Sequence, residues 1–195
     1  MAITEHTKTE VENLFNDTLQ ILEALAVEPN SDEDENEEAL KFADWIKIKA
    51  ELRYGKLENT TKTLIKKEEP TFPVMFGGIY WCYLGTNIGD EINKHRPVLV
   101  IRSEPKSNVC TVVPLTTQRM NDTLWYHIDL ENEDATAIVE QIKVISKNRI
   151  EKPHRVSGNI VKATDKDLIK VIKEMRRYYT TPPKWFAERY KEELK

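Results

Sequence analysis

Cysteine is scarce in this sequence. Cys82 and Cys110 are the two present, both in apolar, strand-like surroundings and without the short paired spacing of a metal knuckle. They are expected to pack as small reduced apolar groups rather than to form a disulfide or hold a metal. Long hydrophobic runs are missing too: none approaches the roughly 18 residues that span a bilayer, so no membrane association is expected. The start, Met1-Ala2-Ile3-Thr4-Glu5, has no basic stretch followed by an apolar core, so no secretory signal is expected, and the default location is cytoplasmic. Internal repeats are absent.

Charge is present but unevenly spread. The 195 residues carry 29 Lys+Arg and 33 Asp+Glu, a net charge of −4. Residues 1–70 hold 9 of the cations and 17 of the anions, a balance of −8, and residues 71–195 hold the remaining 20 and 16, a balance of +4. An acidic front and a mildly basic back suggest separate roles. Val11, Leu14, Phe15, Leu19, Leu22 and Leu25 recur at helical spacing, and Glu28-Pro29-Asn30-Ser31 should end that helix. The acidic run Asp32–Glu38 reads as a solvated loop entering the next helix, or as a phosphate mimic over a basic groove. A second helix is expected from Ala39 to about Tyr54, with a continuation over Lys56–Lys67, and Glu69-Pro70-Thr71-Phe72-Pro73 is a stiff connector.

From Phe76 the period becomes strand-like. Strands are expected at Gly77–Leu84, 97–103, 109–115, 123–130 and 136–145, with a closing strand at Gly158–Val161. Thr164-Asp165-Lys166-Asp167 has the form of a capping box for a helix through Leu168, Val171 and Met175, and a tail helix is expected from Trp185 to Leu194. In His95-Arg96-Pro97-Val98-Leu99-Val100-Ile101 the proline marks a strand start and the β-branched run reads as buried on both faces. Arg96 then sits at the mouth of a rigid strand, and Val112-Val113-Pro114-Leu115-Thr116-Thr117-Gln118 brings two hydroxyls to another strand end. An arginine and a threonine at neighbouring strand ends make an anion site. A surface ion pair for Arg96 and a backbone-satisfying role for Thr116 are the plain alternatives. Trp81, Tyr83, Trp125 and Tyr126 read as core before they read as base-stacking platforms.

Five blocks, Gly77–Leu84, Ile88-Gly89-Asp90-Glu91, Arg96–Ile101, Val113–Gln118 and Glu140–Ile145, follow in the order and spacing of the MazF/PemK toxins, which the chain resembles over about residues 75–178. The resemblance implies an α+β fold: a small SH3-like antiparallel β-barrel with a C-terminal helix. To it this sequence adds a helical N-terminal extension. The resulting division is 1–70, 71–180 and 181–195. It also implies a homodimer that cleaves single-stranded RNA without metal or cofactor. The substrate's 2′-hydroxyl attacks the adjacent phosphorus, leaving a 2′,3′-cyclic phosphate and a 5′-hydroxyl. The family's arginine falls on Arg96, its threonine on Thr116 and its loop glutamate, a candidate base, on Glu91. Gly89, Asp90, Lys94, Thr117, Gln118 and Gln141 are the expected RNA contacts. A cognate antitoxin is the expected protein partner, and the acidic residues 1–70 act as its docking surface, as a cis inhibitor or simply as a packed hairpin. Two departures stand out: Phe76-Gly77-Gly78 replaces the usual Arg-Gly-Asp/Glu, and Asp90-Glu91-Ile92 replaces Ser-Glu-Gln. A non-catalytic interaction module on the same fold, as in the gyrase-poisoning CcdB toxins, is the competing reading.

Overall fold

The computed structural model describes residues 4–26, 33–58, 63–65 and 70–192, which fall into two compact units, Met1–Arg53 and Tyr54–Lys195. The first unit is two helices, α1 (Glu5–Ala26) and α2 (Glu33–Tyr54). The expected break at Glu28–Ser31 and the first residue of the acidic run lie outside the described residues, and the rest of that run opens α2. The helix does not run on into 56–58 or 63–65, as the sequence suggested. Gly55, at φ +108°, takes the left-handed conformation that ends a helix, and β1 (Lys56–Leu57) then pairs antiparallel with β2 (Leu64–Ile65). Residues 59–62 and 66–69, the start of the connector included, lie outside the described residues.

The second unit is built on an antiparallel sheet of β3 (Ile79–Gly85), β4 (Lys94–Ser103), β5 (Val109–Thr116), β6 (His127–Asp129), β7 (Thr136–Ile138), β8 (Lys143–Ser146) and β9 (Ile150–Pro153). The spatial order is β6-β7-β5-β4-β3-β9, and β8 shares the outer edge of β5 with β7. The ends of this path do not pair, so among the described residues the expected barrel is not closed. The closing strand foreseen at 158–161 instead forms β11 (Asn159–Ile160), a hairpin with β10 (Arg155–Val156), and only one isolated bridge, Gly78 to Lys162, reaches the main sheet from this side. Nor is 136–145 one strand: a 3-10 turn at Val139–Gln141 divides β7 from β8 and takes Glu140 and Gln141 out of the ladder. The segment 123–130 shortens to the three residues of β6.

The apolar run of β4 is buried on both faces, as its composition requires. Ile79, Leu99, Val113 and Leu115 belong to one core cluster, whereas their neighbours Tyr80, Val98, Val100 and Val112 belong to the other. Cys82 and Cys110 are free and buried in the second cluster, and burial pushes the Cys110 thiol up to about 11. α3 (Asp165–Thr180) covers the first cluster with Leu168, Val171 and Met175. It starts at the anticipated capping box: Thr164 Oγ1 accepts from the Asp167 amide at 3.0 Å, and Asp167 Oδ2 accepts from the Thr164 amide at 3.2 Å. α4 (Lys184–Arg189) ends earlier than the tail helix expected from Trp185 to Leu194, whose last two residues lie outside the described residues. Among the described residues no helix is long and apolar enough to cross a membrane.

The missing acidic residue at Gly78 has a packing cause. A Cβ on Gly78 would lie 2.6 Å from the ring of Tyr80. Tyr80 is fully buried, its hydroxyl donating to the Pro73 carbonyl at 2.8 Å and accepting from the Met75 amide at 2.9 Å. No acidic side chain fits at Gly78 beside a ring so fixed.

Candidate active site

The antiparallel register of β4 and β5 pairs Val98 with Pro114. Carried two residues further, it puts Arg96 opposite Thr116. The side chains meet there: Arg96 Nη1 donates to Thr116 Oγ1 at 3.3 Å, and Nε donates to the Asn93 carbonyl at 2.9 Å. Two bonds thus hold the guanidinium plane, and Nη2 has no partner among the described residues. Thr116 is 6% exposed, and its oxygen also accepts from the Gln118 amide at 3.2 Å. Both bonds use its lone pairs, so the hydroxyl proton remains for a ligand.

Arg96 and Thr116 line a cleft of about 400 Å³ together with Gly89, Asp90, Glu91, Gln118 and Gln141. Of the remaining expected contacts, Lys94 and Thr117 line a smaller cavity of about 260 Å³ that shares Arg96 and Thr116 with the first and has Trp81 in its wall. The loop between β3 and β4 is pinned across the cleft. Gln141 Oε1 accepts from the Ile92 amide at 2.5 Å, its Nε2 donates to the Asp90 carbonyl at 2.9 Å, and Glu91 is 3.5 Å from Lys143 Nζ. Gln141 therefore spends its amide on the loop backbone. A larger cavity of about 490 Å³ lies between the Phe72–Phe76 segment and Asn108–Lys147 and holds none of these groups.

Sequence reasoning missed one wall. His127 lies on β6, and its side chain is 4% exposed. Its Nδ1 is 2.5 Å from Asp122 Oδ2 and its Nε2 is 2.9 Å from Glu140 Oε1. Both ring nitrogens face carboxylates, so the ring satisfies both as donor only when it carries two protons. Burial raises the Asp122 carboxyl, but the His127 hydrogen bond, the Leu124 amide and the His127 and Arg119 charges outweigh it and leave the carboxyl below its usual range. Glu140 Oε2 is buried without a hydrogen-bond partner among the described residues. The continuous strand expected at 136–145 would have kept Glu140 in the ladder, away from His127. The signal available was a histidine and a glutamate set inside otherwise apolar strand blocks.

His95 faces away from Arg96, as strand alternation requires. It stacks on Trp81 at 5.3 Å and lies 3.1 Å from Glu151, at ion-pair distance but without hydrogen-bond geometry. Burial lowers its pKa, against the opposing pull of Glu151. Among the described residues no group of three or more His, Cys, Asp or Glu side chains is arranged to hold a metal ion. The carboxylates on His127 sit at its two opposite nitrogens and do not converge.

The second unit is thus an α+β fold in which an arginine and a threonine on adjacent antiparallel strands share a cleft with His127. Residues 75–176, just over half of the chain, match the family described as PemK-like, MazF-like toxin of type II toxin-antitoxin system. The chain belongs to this family. Among solved structures it is similar to MazF from Deinococcus radiodurans (14% identity, 55% of this chain and 97% of that one, TM-score 0.47). It is also similar to an endoribonuclease in complex with its cognate antitoxin from a mycobacterial species (16% identity, 57% and 99%, TM-score 0.44). A third is toxin MazF-mt6 of Mycobacterium tuberculosis (15% identity, 54% and 99%, TM-score 0.38). No curated protein matches the sequence.

Proposed function

We propose that this toxin is an endoribonuclease that cuts single-stranded RNA without a metal, through attack of the 2′-hydroxyl on the adjacent phosphorus. The observation that carries the reading is the Arg96–Thr116 hydrogen bond inside a cleft that also holds Glu91, His127 and Glu140. The free Nη2 of Arg96 and the Thr116 hydroxyl donate to the nonbridging oxygens, whose charge grows as the phosphorus becomes five-coordinate. Glu91, 61% exposed at the cleft rim, takes the 2′-hydroxyl proton. The 2′-oxygen bonds to phosphorus as the P–O5′ bond breaks. The proton needed by the 5′-oxygen comes from the His127–Glu140 pair, which the Glu91 proton restores through water. Gln118, Gly89 and Asp90 bound the substrate in the cleft, Gln141 acts by holding the loop, and Lys94 and Thr117 meet the strand on the far side of Arg96. In this reading the working toxin is a homodimer, neutralised by a cognate antitoxin.

The test is incubation of purified protein with a long single-stranded RNA in EDTA. Discrete fragments with 5′-hydroxyl ends are expected, and Arg96→Ala should slow their appearance by about 10²- to 10³-fold, as loss of one electrostatic donor does. Intact RNA with the wild-type protein would instead favour a non-catalytic interaction module.

A further inference from the structure

The cleft is poorly charged for its ligand. Arg96 and Arg119 face Asp90, Glu91 and Glu140, with Asp122 behind His127. Nucleic-acid affinity comes chiefly from cations on phosphates, so most of it must be supplied outside this cavity. One surface continuous with the cleft has the required chemistry. The ring of His127 meets Tyr126 at 5.0 Å, and Tyr126, itself a lining residue, meets Trp125 at 5.3 Å and Tyr178 at 5.1 Å. This ladder of rings leads from the catalytic wall to solvent, where Trp125 is 43% and Tyr178 38% exposed. The Arg177 guanidinium lies 4.1 Å over the indole of Trp125, and Arg176 is exposed beside it in sequence on α3. Tyr179 continues the row and donates its hydroxyl to the Glu140 carbonyl at 2.9 Å, tying the α3 end to the turn that carries Glu140.

We propose that Trp125, Tyr178 and Arg177 form a platform that binds the single strand of RNA flanking the scissile phosphate, an inference that rests on the nuclease reading for its substrate. Exposed aromatic faces stack bases without regard to sequence, and the Arg177 guanidinium, laid over one face of the indole and 3.4 Å from Glu174, offers its remaining N–H groups to the backbone phosphate. The occupant is a polyanion rather than an apolar protein surface because Arg177 lies over Trp125 and the row of rings runs into the cleft that, in the nuclease reading, holds a phosphodiester. Placing the affinity beside an acidic cleft also separates binding from chemistry, so loss of the platform should raise KM and leave kcat near that of the wild type.

The test uses the full chain and a fluorescein-labelled 20-nucleotide 2′-O-methyl oligouridylate, which cannot be cleaved, read by anisotropy. Trp125→Ala should weaken binding by roughly 5- to 150-fold, the range of one lost base stack, and Trp125→Phe should recover most of it. Arg177→Gln should lower the slope of log K against log salt by about one phosphate contact. Affinity within twofold of wild type for Trp125→Ala overturns the platform. So does a change in sedimentation mass with RNA affinity unchanged, which would make the face a protein interface. If Trp125→Ala fails to fold, an unaltered salt slope for Arg177→Gln overturns it alone. Unmodified RNA assayed alongside separates the two claims. Wild-type protein that binds through Trp125 but never cleaves removes the nuclease reading and leaves the platform, while cleavage with unaltered Trp125→Ala affinity does the reverse.

Discussion

Arg96 owes its aim to its neighbours as much as to its own chemistry. The Asn93 carbonyl and Thr116 hydroxyl hold Nε and Nη1 and leave Nη2 for a phosphate. The acid and base roles can be separated at this scale by the leaving group. Glu91→Gln and His127→Gln should each lower kcat/KM by about 10²- to 10⁴-fold. An RNA with sulfur in place of the 5′-oxygen at the cut needs no proton on its leaving group, so it should restore most of the rate to His127→Gln and none to Glu91→Gln. Rescue of Glu91→Gln instead of His127→Gln would exchange the two roles. The sequence made Arg96 and Thr116 legible because a proline-led strand and a strand ending in hydroxyls are local patterns. His127 was not legible, because its partners lie 5 and 13 residues away across a turn and a strand, and only the fold unites them.

At the scale of elements, the 3-10 turn at Val139–Gln141 does what an unbroken strand would not. It lifts Glu140 and Gln141 out of the ladder so that one reaches His127 and the other the β3–β4 loop. Composition alone reads Ala137–Ile145 as one β run, since a turn without glycine or proline leaves no local mark. The α3 capping box, by contrast, was legible from four residues. Its Asp167 does more than cap: fully buried, it also accepts from the Glu131 amide at 3.2 Å, joining α3 to the loop between β6 and β7. Asp167→Ala should therefore cost more than the ~1 kcal/mol of a simple cap, about 2–3 kcal/mol, because it strands buried donors as well. Urea denaturation of the variant checks this, and Asp167→Asn, which keeps an acceptor, should recover part of the loss.

For the whole molecule, the helical front and sheet-based back were readable from a change of hydrophobic period near Phe76. Sheet closure was not, because it depends on whether remote strand edges meet, and no local pattern records that. All the proposed cleft residues lie in the unit Tyr54–Lys195, so that unit carries the proposed chemistry. In that chemistry the nucleophile belongs to the substrate. The most direct measurement uses an RNA bearing a single 2′-deoxy substitution at the nucleotide preceding the mapped cleavage point, with EDTA present. The account predicts that cleavage there stops while any other cut in the same strand continues, and that unsubstituted RNA yields a 2′,3′-cyclic phosphate. Continued cleavage at the deoxy position would contradict it, since the attacking oxygen would then have to come from water or from the protein.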